Sequence, residues 1–219
     1  MPDPAEWASC GEAWIWLMRH VWTEGALADD DRGPVMEGPS VLFEIAEVRR
    51  DDPIVERYGD AERLALYGRK FSQDTVVAPF KYSYGARIKG QLRWAADLLR
   101  VKPYSKSAWI SLTVPGEPYD CVPCLIGLAF RIREGALVMT ATFRSQNAFT
   151  SYLNYLPLAE VQAGMAHELG LTLGPMRVFV DVPHLYLADS TQVLRVMRPC
   201  LSRPLRAGPR CPPGRDVRP

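Results

Sequence analysis

A thiol, a guanidinium, a hydroxyl, amides and a His/Tyr pair within one stretch, Tyr119 to Tyr186, could together do chemistry on an anionic substrate. A thiol, Cys124, follows a proline and opens a strand-like run, Leu125 to Arg131. A second strand-like run, Ala136 to Phe143, delivers a guanidinium and a hydroxyl, Arg144 and Ser145, with the amides Gln146 and Asn147 next. His184 and Tyr186 follow Asp181-Val-Pro at the end of a third such run, Met176 to Val182. A cationic side chain near a thiol favours the thiolate, the form that attacks carbon. Cysteine is also among the most often buried residues, so Cys124 stands out by its company. Cys121 and Cys124 form a C-x-x-C, open to a redox reading or half a zinc site. Against these, Cys200 and Cys211 are badly spaced as further ligands, and a β-rich run follows where a thioredoxin-like helix would start.

The elements around this stretch predict an α+β fold, with strands in the middle and helices before and after. Residues 7–28 have a broad apolar face with Trp7, Trp14 and Trp22 at helical spacing, expected to pack in the core. Asp29 to Pro34 reads as a breaker-rich loop, and Val41 to Val48 as an alternating strand. Ile54 to Tyr67 reads as one short amphipathic helix, 68–83 as irregular, Ile88 to Arg100 as a helix and Trp109 to Val114 as a strand. Leu153 to Leu169 is helical around Pro157, and Ser190 to Met197 is a last short helix. Residues 1–197 are read as one domain. Residues 198–219 shift to Pro and Arg and are expected to be a disordered tail.

Bulk properties restrict the function classes. The 219 residues carry a net charge of +1, so any anion binding must come from a local site, not a general attraction to nucleic acid or anionic membrane. No apolar run reaches the ~18 residues of a membrane span. The acidic start, Met1-Pro-Asp-Pro-Ala-Glu, is unlike a signal peptide, and with an odd count of five cysteines the expectation is a cytoplasmic protein without a disulfide framework or a bound metal.

Taken in order, these residues resemble the thymidylate synthase superfamily, which includes the CMP, dCMP and dUMP hydroxymethylases. The family pattern is Pro-Cys, a β-hairpin, Arg-Ser-x-Asp, an Asn about ten residues on, and a later His-x-Tyr. Here those are Pro123-Cys124, Leu125 to Phe143, Arg144-Ser145-Gln146-Asn147, Asn154 and His184-Leu185-Tyr186. Tyr84-Gly85-Ala86-Arg87 is similar to a shortened Tyr-Gly-x-x-x-Arg element, and Ser105-Lys106-Ser107 sits where the family has Ser-Arg-Arg. The likeness covers roughly residues 82–190.

The resemblance implies a thymidylate synthase-like mixed sheet flanked by helices, and one-carbon transfer from 5,10-methylenetetrahydrofolate to C5 of a pyrimidine nucleotide monophosphate. It implies catalytic roles for Cys124, adding to C6 of the base, and Arg144, holding thiolate and phosphate. Ser145, Asn154, His184, Tyr186, Lys106 and Arg87 are then substrate ligands, with Lys106 acting across a homodimer, and Asn147 and Tyr84 lie towards the folate. The sequence departs from the family at Asn147, where a carboxylate is expected, and at Lys106-Ser107, where an arginine pair is expected. It has no counterpart of the folate-closing C-terminal segment, and the catalytic glutamate does not align, leaving Glu56 and Glu62 as candidates. The missing folate-closing segment and the lack of a recognisable folate-side Trp favour water over hydride as the final acceptor, and so hydroxymethylation; thymidylate synthase-type methylation and a catalytically lapsed nucleotide-binding protein on the same fold are the alternatives.

Overall fold

The structure, a computed structural model, describes residues 5–198. Strand β1 (Ala5–Ser9) leads into α1 (Cys10–Glu24), then β2 (Ala26–Ala28), β3 (Val35–Glu37) and β4 (Val41–Glu47). Helices α2 (Pro53–Tyr58), α3 (Ala61–Ser72) and α4 (Tyr84–Val101) follow. Strands β5 (Trp109–Ser111), β6 (Leu125–Arg133) and β7 (Ala136–Asn147), helix α5 (Tyr152–Leu169), strand β8 (Thr172–Tyr186) and helix α6 (Ser190–Met197) complete the order. The fold is α+β: one mixed eight-stranded sheet in the order β1-β4-β8-β7-β6-β5, with helices against it. The C-terminal half of β8 also pairs with β3, which pairs with β2.

Several sequence expectations need correction. Residues 7–9 belong to β1, paired in parallel with β4 (Trp7 opposite Ile45), and the helix starts only at Cys10, where Ser9 accepts a capping hydrogen bond from Glu12 N–H. The helix expected over Ile54 to Tyr67 is two helices, because Asp52 caps the first and Asp60 caps a second that runs on to Ser72. Asp29 to Pro34 is the loop expected, but it joins two short strands, β2 and β3, that are not; Ala26–Ala28 falls in the stretch read as helix. Strands therefore occur before the helices as well as in the middle. The expected tail, beyond Arg198, lies outside the described residues.

The two longest sheet partners position the site. A Glu134-Gly135 turn, both residues at positive φ, joins β6 to β7 as a tight hairpin. Strands β7 and β8 run parallel, so Ser145, Gln146 and Asn147 lie beside Val182, Pro183 and His184. Gln162 Nε2, buried in α5, donates to Leu137 O at 2.8 Å and Gly174 O at 2.9 Å, fixing the helix to both strands. Along β4 and β8 the residues Val41, Phe43, Ile45, Met176, Val178 and Val180 are buried beneath the helices, while Leu42, Glu44 and Arg177 face outward. No helix among the described residues is long and apolar enough to cross a membrane.

Candidate active site

Cys124 is exposed and sits immediately before β6, at the end of the sheet where β7 and β8 finish. Pairing across the β6–β7 hairpin brings Arg144 back beside it: Arg144 N–H donates to Cys124 O at 2.9 Å. The guanidinium turns onto the same segment, Nε donating to Pro123 O at 3.0 Å and Nη2 to Val122 O at 2.9 Å. Arg144 thus fixes the backbone that presents the thiol, while remaining exposed to an anion.

Behind Cys124 stands a wall of phenols. Ser83 caps α4, accepting from Ala86 N–H at 3.1 Å, and this cap sets Tyr82 and Tyr84 on either side of it. Tyr84 is buried, and its hydroxyl accepts the Leu125 N–H at 3.3 Å. Burial raises the pKa of Tyr84, Tyr82 and Tyr67, so all three stay protonated at neutral pH. Against these rings lies Lys70, a buried cation that the sequence reading passed over; burial pushes its pKa down to about 8, with Cys124 opposing and Arg87 reinforcing the shift.

Arg87, expected as a substrate ligand, is otherwise engaged. Its terminal nitrogens donate to Leu112 O and to Glu117, and Nη2 to Cys121 O at 3.4 Å. It braces the loop leading to Cys124.

The opposite wall comes from β7, β8 and the β2–β3 hairpin. Ser145 Oγ lies 3.4 Å from His184 Nδ1, whose ring packs edge-on against Tyr186 at 5.3 Å. His184 is buried, and its Nε2 has no hydrogen-bond partner. Burial lowers its pKa, which leaves a neutral imidazole able to pair with a ligand hydroxyl. The Tyr186 hydroxyl donates to Asp30 at 2.9 Å and receives from Arg32, whose guanidinium stacks 4.6 Å from the ring centroid. Burial, then the Asp30 bond, pushes Tyr186 up to about 12. Nothing in the sequence reading marked Arg32, because its hairpin strands are only three residues each.

The remaining candidates divide. Asn147 Oδ1 accepts from Phe149 N–H at 2.9 Å, making it the cap of a short turn before α5. Its amide nitrogen and the half-buried side chain of Asn154, on the first turn of α5, make no hydrogen bond among the described residues and suit the amide edge of a heterocycle. Lys106 is exposed before β5, beside Arg131 near the far end of β6, so a single chain does not bring it to Cys124. Glu56 and Glu62 are exposed on α2 and α3, without a link to the thiol. Among the described residues no cluster of ligands could hold a metal ion.

No family model matches the chain. It is 26% identical over 199 residues to a protein of Methanosarcina acetivorans named "Putative thymidylate synthase", a match spanning 85% of this chain and 91% of that one. A Methanosarcina mazei protein of the same name is 25% identical over the same shares. One from Methanothermobacter marburgensis is 24% identical, covering 85% of this chain and 94% of its own. The likeness thus reaches well beyond the central residues that first suggested it. Across 85% of its length the chain is similar to proteins named "Putative thymidylate synthase", and its mixed sheet flanked by helices accords with that likeness.

Proposed function

We propose that the chain transfers a one-carbon unit from 5,10-methylenetetrahydrofolate to C5 of a pyrimidine nucleotide monophosphate, through a covalent bond from Cys124 Sγ to C6. The observation that carries this reading is the exposed Cys124 held by Arg144 at the mouth of a site lined by phenols and a buried neutral imidazole. The printed name of the relatives supports the same reaction class.

Addition of the Cys124 thiolate to C6 makes C5 nucleophilic, which the free base is not. Arg144, Ser145 and Arg32 offer the phosphate its charged and hydroxyl partners. His184 Nε2, buried and unpaired, bonds the sugar hydroxyl, and Tyr186 holds the hairpin that carries Arg32. Asn154 reads the base edge; Asn147 Nδ2 and the Tyr84 wall lie towards the pterin. The bound folate supplies the methylene carbon and, in a methylating enzyme, the hydride.

Hydroxymethylation is the product reading favoured by the lack of a recognisable folate-side Trp; Asn147, an amide in the place of a carboxylate, has its oxygen held by Phe149. Methylation is favoured by the name of the relatives. A homodimer supplies Lys106 in trans; the sheet face carrying Leu42 and Trp109, 43% and 44% exposed, offers it an apolar surface.

Release of tritium from a 5-tritiated nucleotide in the presence of the folate tests the proposal. CMP, dCMP, UMP and dUMP should differ, one of them releasing label only with Cys124 intact, and the product mass separates methyl from hydroxymethyl. No release from any of the four, with nucleotide still bound, would leave a nucleotide-binding protein on this fold.

A further inference from the structure

Lys70 is the feature that the proposed chemistry leaves unused. It lies in the last turn of α3 and is 6% exposed, yet none of the ion pairs among the described residues includes it. Its ammonium instead faces four rings: Tyr82 at 4.1 Å, Phe80 at 4.3 Å, Tyr84 at 4.4 Å and Tyr67 at 5.7 Å from their centroids. Ring faces attract an ammonium without neutralising it, so its charge stays available to an anion beyond the cage. The cage adjoins the nucleophile, since the Tyr84 hydroxyl is bonded to the Leu125 N–H, one residue past Cys124. Arg144, the other cation beside the thiol, has Nε and Nη2 committed to the Pro123 and Val122 carbonyls.

We propose that Lys70 is the resident counter-ion of the Cys124 thiolate, held ready by an aromatic cage that contains no competing carboxylate. The inference rests on the reading of Cys124 as the nucleophile. The proton balance is internal: the thiol proton passes to the lysine amine, giving thiolate and ammonium with no change in net charge. A lysine titrating at about 8 has a neutral fraction near physiological pH able to accept that proton. The groups facing it are Tyr67 from its own helix, Phe80 and Tyr82 from the segment after it, Tyr84 and Arg87 from α4, and Cys124. The phenols stay protonated and Arg87 is paired with Glu117, so Cys124 is the anion left for Lys70.

The test is the rate of Cys124 alkylation by iodoacetamide, without nucleotide or folate, from about pH 5 to about pH 10, with peptide mass assigning label to Cys124 rather than Cys121. Lys70→Met should slow alkylation at neutral pH by about tenfold and move its pH midpoint upward, and Lys70→Arg should restore most of the rate. Lys70→Gln is read in the same way if circular dichroism finds the Met variant unfolded. An unchanged profile in the folded Met or Gln variant overturns the proposal. That failure is separable from failure of the functional reading: tritium release lost in Cys124→Ser with an unchanged Lys70→Met profile removes only the counter-ion.

Discussion

The two ends of the central sheet differ in how their charges are satisfied. Where β4 ends and β8 begins, a cleft of about 540 Å³ opens between the sheet and α5, lined by residues that include Ile45, Arg49, Arg50, Glu160 and Met176. Its arginines are paired: Arg49 with Asp51 at 2.7 Å, and Arg50 Nε with Glu160 at 2.6 Å. At the other end, where β7 and β8 finish, Lys70 has no carboxylate and His184 Nε2 no partner among the described residues, and Cys124 is exposed. A buried polar group left unpaired is costly unless something else meets it. The cleft beside α5 has its arginines paired, so it is the unpaired ammonium and imidazole of the Cys124 end that mark where a ligand belongs.

Substitutions at each end can break or sharpen this contrast. The largest effect is expected for Cys124→Ser, which should lower label release by at least about 1,000-fold with little change in melting temperature, because the thiol is exposed. Lys70→Met comes next, with activity falling about 10- to 100-fold while stability rises. The sign follows from its depressed pKa: below about pH 8 the folded chain carries a charge that burial disfavours, and that penalty, about 3 kcal/mol, is relieved only as pH climbs towards the unfolded value near 10.5. Removing the charge should raise the melting temperature by several degrees at pH 7 and by less at pH 10.

His184→Phe should raise KM for the nucleotide about tenfold through loss of the unpaired Nε2. Its pKa is lowered by burial, so charging the ring costs stability as pH falls below the ordinary histidine value of about 6.5. The wild type should therefore lose melting temperature on acidification more steeply than the Phe variant. The smallest effect belongs to the paired end: Glu160→Gln exposes no buried charge and should leave activity within about twofold. A large loss there would remove the contrast.

The closeness of Cys124 and Arg144 was readable in outline, because a hairpin turning at Glu134-Gly135 returns β7 to the start of β6. The register shift between Leu125 and Gly127, which sets Arg144 rather than Ser145 beside Cys124, was not. Helix α4 and strand β4 were readable from their periodicity. Arg32 was not, since strands of three residues show no alternation and Asp29 to Pro34 has loop composition. Trp7 was assigned to a helix because its spacing to Trp14 fits one face, yet its partner is Ile45 on β4, 38 residues on in the chain and paired in parallel. Lys70 falls in the stretch 68–83, which reads as irregular from sequence although the helix runs on to Ser72. Three of its four rings come from the residues after α3 and at the start of α4, an association only the tertiary fold creates. The site's least visible residue is thus one whose role depends on four aromatic neighbours.

The central claim is a covalent bond from Cys124 to C6 of a pyrimidine. Fluorine at C5 cannot depart as a cation, so a 5-fluorinated nucleotide should stop the reaction with that bond in place. Incubation with the folate and 5-fluoro analogues of CMP, dCMP, UMP and dUMP, followed by peptide mass spectrometry, reads it directly. The account predicts one analogue attached to the peptide containing Cys124 and absent from Cys124→Ser. No adduct with any of the four, or an adduct on Cys121 instead, would contradict it.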